Sequence, residues 1–270
     1  MENLIVCVAP VGYWGKGDNN PLTPTEIAEE TYRCYQQGAS MVHLHLRDEF
    51  GNATTNTKAF EETVNLIRKR CDIIIQAPIG DSSLVDAGKR SVVLNVPQIQ
   101  VSALTTGSHN IFNVAAVNTF DDIEYWLKIM QEKDIIPEIN VFELGMVDNV
   151  KAFINKGLLK EGKYYYSFCL GFPGCMHTSM QNLSLLVNSI EKDTPWFYSE
   201  FGNQSFIPVT KAISFGGNVI VGFDANIFLE PAVKARSNEL LVKKSIQISK
   251  ELGRKVASVQ DAHKILGIEK

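Results

Sequence analysis

Apolar residues along this chain come in short runs rich in β-branched side chains, and each run is followed by a stretch with helical spacing. The runs predict strands at Leu4–Ala9, Met41–Arg47, Asp72–Ala77, Ile99–Leu104, Glu138–Glu143, Tyr164–Gly171, Pro195–Phe201 and Asn218–Asp224. Helices are predicted to begin near Thr25, Lys58, Asp121, Met146, Ser179, Ser205 and Lys234, with a last one over Ser258–Leu266. The connection Asp81–Pro97 has no clear helical pattern. Strict β–α alternation implies a parallel sheet covered by helices. Eight such units fit a closed (β/α)8 TIM barrel, one domain over residues 1–270, with an open doubly wound sheet as the alternative.

Local chemistry agrees with these boundaries. Thr23-Pro24-Thr25-Glu26 places a hydroxyl acceptor ahead of proline in a first helical turn, with a carboxylate at the positive end of the helix. Gly38 and Gly253 stand where helices should stop.

A parallel barrel strand is normally apolar on both faces, and chemistry collects at the carboxyl ends of the strands. The second strand breaks that rule. In Met41-Val-His-Leu-His-Leu-Arg-Asp48, Val42, Leu44 and Leu46 share one face, and His43, His45 and Arg47 share the other. Residues two apart on a strand lie about 7 Å from each other on one side, so two imidazoles there can converge on one ion at about 2.0–2.1 Å each. The alternative is a pair of core histidines bonded to backbone. Asp224, at the end of the eighth strand with the parity of Ile220 and Gly222, is the candidate third ligand, because the second and eighth strands both neighbour the first. Two histidines and a carboxylate leave coordination positions open, as a catalytic site needs. Gln76, Ser102, Asn140, Glu143 and Glu200 are further polar strand ends. The small-residue loop Gly171–Ser179, with Gly174 at its centre, could take a phosphate or the pyrophosphate of CoA on free backbone N–H groups, or be an ordinary turn. His109, His177 and His263 read as surface or loop residues.

Composition narrows the function classes. A net charge of −4 without a Lys/Arg cluster argues against nucleic acid or an anionic membrane as partner. No apolar stretch approaches the roughly 20 residues of a membrane span, and the first residues lack the pattern of a signal peptide. Five scattered cysteines without a CxxC pattern fit a reducing, cytoplasmic setting.

The order of motifs resembles the β-keto acid cleavage enzyme family. The likeness runs through Val8–Gly12, Pro21–Glu30, the signature His43-Leu-His-Leu-Arg-Asp48 with Gly51, Gly107-Ser-His-Asn110, Pro137-Glu138, Val141–Met146, Gly157–Leu159, Gly216-Gly217, Val221-Gly222, Ser237-Asn238 and Leu252-Gly-Arg254. The resemblance implies a zinc-dependent, oligomeric barrel, a dimer or tetramer, that converts a β-keto acid and acetyl-CoA to acetoacetate and a new CoA thioester. It also implies His43, His45 and Asp224 as ligands to Zn2+ or another divalent metal, Asp224 standing where the family usually has Glu. Ser108, Asn110 and Gly174 are the implied substrate and CoA contacts. This chain departs from the pattern elsewhere. Ile220 replaces an arginine that assists the base, Ala225 replaces the aspartate base, Asn140 and Gln100 stand where glutamates are usual, and Asn203-Gln204 replaces Gly-Arg. The changes read as a buried ionic network neutralised as a set, which is tolerated where loss of one partner is not. Proton transfer then falls to Glu143, Asp48, Glu200 or a metal-bound hydroxide, with Arg47 and Asn140 as neighbouring polar groups. A metal-dependent lyase or hydrolase acting without CoA and a non-catalytic metal-binding homologue are the competing readings.

Overall fold

The computed structural model describes residues 2–268 except 13–15, 18, 46, 49, 51, 53, 80–85 and 203. Leu46 and Gly51 of the signature, Asn203, and the start of the connection after the third strand lie outside the described residues. In chain order the elements are β1 (Val6–Val8), α1 (Pro24–Gln37), β2 (Met41–His43), α2 (Lys58–Arg68), β3 (Ile74–Pro78), α3 (Ala87–Arg90), β4 (Val101–Thr105), β5 (His109–Ile111), β6 (Val114–Ala116), α4 (Phe120–Glu132) and β7 (Ile136–Val141). They continue with α5 (Gly145–Asn155), β8 (Tyr165–Leu170), α6 (Met180–Ser189), β9 (Trp196–Glu200), α7 (Ile207–Ser214), β10 (Asn218–Val221), β11 (Phe228–Glu230), β12 (Val233–Lys234), α8 (Asn238–Glu251) and α9 (Val259–Leu266).

The sheet closes in the order β1-β10-β9-β8-β7-β4-β3-β2 with parallel pairing throughout. That closure excludes the open doubly wound alternative. Strand parity sorts the core into two shells, as the pleat demands. Ile5, Cys7, Met41, Ile74, Val101, Ile136, Tyr165, Phe197 and Ile220 fill the lumen. Val6, Val8, Val42, Leu44, Ile75 and their counterparts face the helices. Three lumen positions in the middle of the barrel are polar and buried: Gln76, Glu138 and Ser167.

Helix α1 carries the expected cap: the Leu22 and Thr23 N–H groups donate to Glu26 Oε2 at 3.0 and 2.9 Å, and the Thr23 hydroxyl accepts from the Glu26 N–H. Gly38 ends that helix in the left-handed region.

Several boundaries differ from the sequence-based expectation. The ladder of β2 stops at His43, so His45 and Arg47 project from the strand-to-loop exit, and β10 stops at Val221, three residues before Asp224. The helix expected near Lys234 begins at Asn238, because Val233–Lys234 pairs with Phe228–Glu230 in a short hairpin. The Asn238 side chain is spent on tertiary contacts: its Oδ1 accepts the Phe223 N–H and its Nδ2 donates to Pro10 O. A second hairpin, β5–β6, projects after β4. The connection Asp81–Pro97 contains α3 and a 3₁₀ turn at Val92–Asn95. Among the described residues no helix is long and apolar enough to cross a membrane.

Candidate metal centre

His43 leaves the barrel lumen at the end of β2, and the chain carries His45 up beside it. Asp224 arrives from the other side of β1. Its placement depends on Gly222, whose φ is +134° and whose missing Cβ would sit 2.3 Å from Ala9 O. That close approach lets the Asp224 N–H donate to Ala9 O at 3.1 Å, pinning the turn after β10 onto the end of β1.

The three side chains meet in one triangle. His43 Nε2 and His45 Nε2 are 2.9 Å apart, His45 Nε2 lies 3.0 Å from Asp224 Oδ2, and His43 Nε2 lies 3.7 Å from the same oxygen. Three ligands on a tetrahedral zinc at about 2.0–2.1 Å would be separated by about 3.3 Å, so the edges bracket the required spacing. Among the described residues these three form the cluster able to hold an ion.

Electrostatics favour the ligating protonation states. Desolvation by burial, reinforced by His45, lowers the His43 pKa to about 4, leaving a neutral ring with a free lone pair. Burial alone would raise the Asp224 carboxyl, but His45, His43 and Arg47 outweigh it and hold the group at about 2. Arg47 Nη2 stands 3.8 Å from Asp224 Oδ1.

Beneath the triangle, His43 is in register with Gln76 on β3. The His43 Nδ1 and both amide atoms of Gln76 are buried without a hydrogen-bond partner, although the Gln76 amide lies close enough to act on both His43 and Glu138. Metal-ligating histidines almost always donate the second ring N–H to such a neighbour, which fixes the tautomer. The donor set and this orphaned pair both fit a metal. Replacing Gln76 by leucine is expected to weaken zinc binding about 10- to 100-fold, measured by chelator competition, while circular dichroism stays unchanged.

Glu138 lies deeper in the lumen. Burial pushes its carboxyl up to about 7, and Tyr165 Oη donates to Glu138 Oε2 at 2.6 Å. As a site residue it was not anticipated; the available signal was an acid at the inward parity of a barrel strand, two residues before Asn140.

A family model described as beta-keto acid cleavage enzyme matches residues 3–268. The chain belongs to the β-keto acid cleavage enzyme family. A 3-keto-5-aminohexanoate cleavage enzyme of Fusobacterium nucleatum is 32% identical over the full length of both chains. A 3-oxoadipate:acetyl-CoA acetyltransferase of Cupriavidus necator is 27% identical, covering 99% of this chain and 95% of the relative. Among solved structures, ObcA in its apo form superposes with a TM-score of 0.79 at 17% identity, covering 93% of this chain and 66% of that one. This chain is an enzyme of that family.

The other residues singled out from sequence scatter around the same rim. Asn140 continues the inward face of β7, and its Oδ1 is buried without a partner. Glu143 follows the same strand, half-buried, its carboxyl raised by desolvation. Asp48 points into its own loop, where Oδ1 accepts the Phe50 and Asn52 N–H groups at 2.9 and 2.8 Å. Ser108 serves the hairpin, accepting the Asn118 N–H at 2.9 Å and donating to Asn118 O at 3.2 Å. Asn110 and Gly174 are neighbours: a Cβ on Gly174 would lie 3.1 Å from Asn110 O.

Three expectations need correction. Glu200 shares the outward parity of Tyr198; Tyr198 Oη and Asn226 Nδ2 donate to it at 3.2 and 2.9 Å, and burial pushes it up to about 8. Gln100 precedes β4 at the opposite end of the barrel, bonded to Arg68 at 2.8 Å, so it is not part of a network around the metal cluster. His109 is no bare loop residue, since its ring stacks on Phe142 at 4.2 Å.

Proposed function

We propose that this chain, one barrel domain over residues 1–270, is a zinc-dependent transferase. In this reading a β-keto acid and acetyl-CoA become acetoacetate and the CoA thioester of the remaining acyl group. The carbon–carbon bond between the acidic methylene and the keto carbon breaks, and the two-carbon acid joins the acetyl group. The observation that carries the reading is the triangle of His43, His45 and Asp224 at the open rim, in a chain 32% identical to a β-keto acid cleavage enzyme.

In this scheme His43, His45 and Asp224 hold a divalent ion, zinc by preference for two imidazoles and one carboxylate. When bound, that ion supplies Lewis acidity to the keto acid's oxygens. Arg47 offsets the charge of Asp224 and leaves the centre suited to an anionic substrate. Glu143 is the favoured proton acceptor, because its carboxyl is desolvated and carries no cap or loop contact like that of Asp48. The Asn140 amide, unpaired and inward, positions the substrate. Asn110, Gly174 and Ser108 sit where the thioester substrate would pass over the rim. Val114, Val117 and Phe120 leave an apolar patch exposed beside the β5–β6 hairpin, in keeping with a homo-oligomer.

The test is a panel of β-keto acids given to zinc-loaded protein with and without acetyl-CoA. Acetoacetate and the matching acyl-CoA should form together, identified by mass spectrometry. Metal-dependent cleavage indifferent to CoA would transfer the assignment to a lyase or hydrolase, and absence of any turnover would end the transferase reading.

A further inference from the structure

The rim facing the metal-ligand cluster is made of aromatic rings. Strands β2 and β10 flank β1, so the far arc of the cylinder is β7, β8 and β9. Phe142 comes directly after β7 and Phe201 directly after β9, at the carboxyl ends of the two strands. Between them stands Phe172, from the loop after β8, stacked on Phe201 at 5.1 Å and 20° and edge-on to Phe142 at 5.5 Å and 71°. Phe112 reaches over from the tip of the β5–β6 hairpin and meets Phe201 edge-on at 5.1 Å.

The arc is held in place by backbone. Gly171, at φ +86°, lets β8 close on β9: a Cβ there would fall 2.4 Å from Phe201 O. The Phe112 N–H donates to Pro173 O at 2.8 Å with Phe112 itself in the left-handed region, and Cys175 Sγ donates to Asn110 O at 2.9 Å. A bulky residue at positive φ is uncommon and needs its surroundings to enforce it.

Phe142 is buried in the core and backs this arc, under the His109 ring, whereas the other three rings reach the surface. Phe112 is 47% exposed, and Phe172 and Phe201 are half-buried. Cation–ring contacts and ion pairs among the described residues lie elsewhere, apart from the metal-ligand cluster and Arg47 across the mouth. Ile220, the inward residue of β10, adds apolar surface below the rim. A molecule held at the metal cluster by its acidic end can extend across the mouth to this arc.

We infer that the arc of Phe112, Phe172 and Phe201 receives the substituent on the substrate's keto carbon, and that this substituent is apolar or aromatic rather than anionic. The inference rests on the proposed β-keto acid reaction and names its substrate class. A methylene buried against apolar surface strengthens binding about fourfold. A terminal carboxylate pressed among rings beside Glu143 should weaken it by about tenfold or more.

The experiment uses the zinc-loaded full chain and 3-oxo acids with methyl to pentyl, phenyl and ω-carboxyalkyl substituents. Affinity is read by calorimetry without acetyl-CoA, and kcat/KM with it. Affinity should climb about fourfold per methylene, with phenyl favoured and the ω-carboxy acid disfavoured. In Phe112→Ala and in Phe201→Ala the increment should fall below about twofold per methylene. Phe112 is surface-exposed, so its variant keeps the fold. A flat series, a preference for the ω-carboxy acid, or an increment unchanged in both variants would overturn the inference. A steep binding series without acetyl-CoA-dependent turnover would keep the wall and remove the reaction; turnover with a flat series would do the reverse.

Discussion

His43→Ala is expected to release the divalent ion and to lower turnover by about 10³-fold or more, since Lewis-acid stabilisation is worth several kcal/mol and each 1.36 kcal/mol is tenfold. His43 is the most buried of the three groups, and its Nε2 is close to both of the others. Its removal leaves one imidazole and one carboxylate, too few for a tetrahedral site with an open position. Asp224→Asn should also lose the ion, because the anionic oxygen is gone while the contact with Arg47 turns unfavourable. Asp224→Glu should keep it, because the added methylene can be absorbed at the open rim. Plasma emission spectrometry on dialysed protein gives the metal content, and the same samples give kcat. Stoichiometric metal in His43→Ala would remove the triangle from the mechanism.

The second large effect is on stability. Glu138 and Glu200 are buried acids whose carboxyls desolvation pushes up to about 7 and about 8. Unfolded, a glutamate titrates near 4.3. Between that value and the folded one the native chain holds more protons than the unfolded chain, so stability falls as pH rises. His43 acts in the opposite sense below its unfolded value of about 6.5, because the folded ring is depressed to about 4. Asp224 contributes only well below neutrality. Between about pH 6.5 and 7.5 the two acids therefore dominate, because the cysteines, also raised by burial, ionise in the unfolded chain only near 8.5. Metal-free protein should lose on the order of 3 °C in Tm per pH unit there. Glu200→Gln should reduce the slope by about half, leaving the Glu138 part below pH 8, and Glu138→Gln,Glu200→Gln together should abolish it. Calorimetry in chelator at several pH values checks this; a Tm that rises with pH would contradict the assignment of both groups.

Much of the fold was legible because a parallel strand covered on both faces must be apolar throughout, and this chain has such runs at every barrel position. Parity in His43-Leu-His placed both rings on the lumen side, and the position of Asp224 beside the first strand made convergence geometrically natural. That convergence is observed; the ion itself belongs to the proposal. The hairpins were illegible for physical reasons. Each strand of β5–β6 is three residues long, and Phe112 at its tip takes a left-handed conformation that no residue preference predicts. It is set by contacts some sixty residues away, at Pro173 and Cys175. The start of α8 was misplaced because Asn238 is chosen for what it bonds, Phe223 and Pro10, rather than for helix propensity. Gln100 stands in sequence where the family has a glutamate, whereas its partners Arg68 and His263 lie at the amino end of the strands.

The seat of the β5–β6 hairpin has a consequence for how this enzyme can change. Pro173 and Asn110 take part in it through carbonyl oxygens, which every residue possesses. Side chains at the hairpin tip are therefore exchangeable without unseating it, and the ion-gripping half of the mouth belongs to other strands, β2 and β10. A lineage could swap one acyl preference for another by drift at a few surface codons while its chemistry stayed intact.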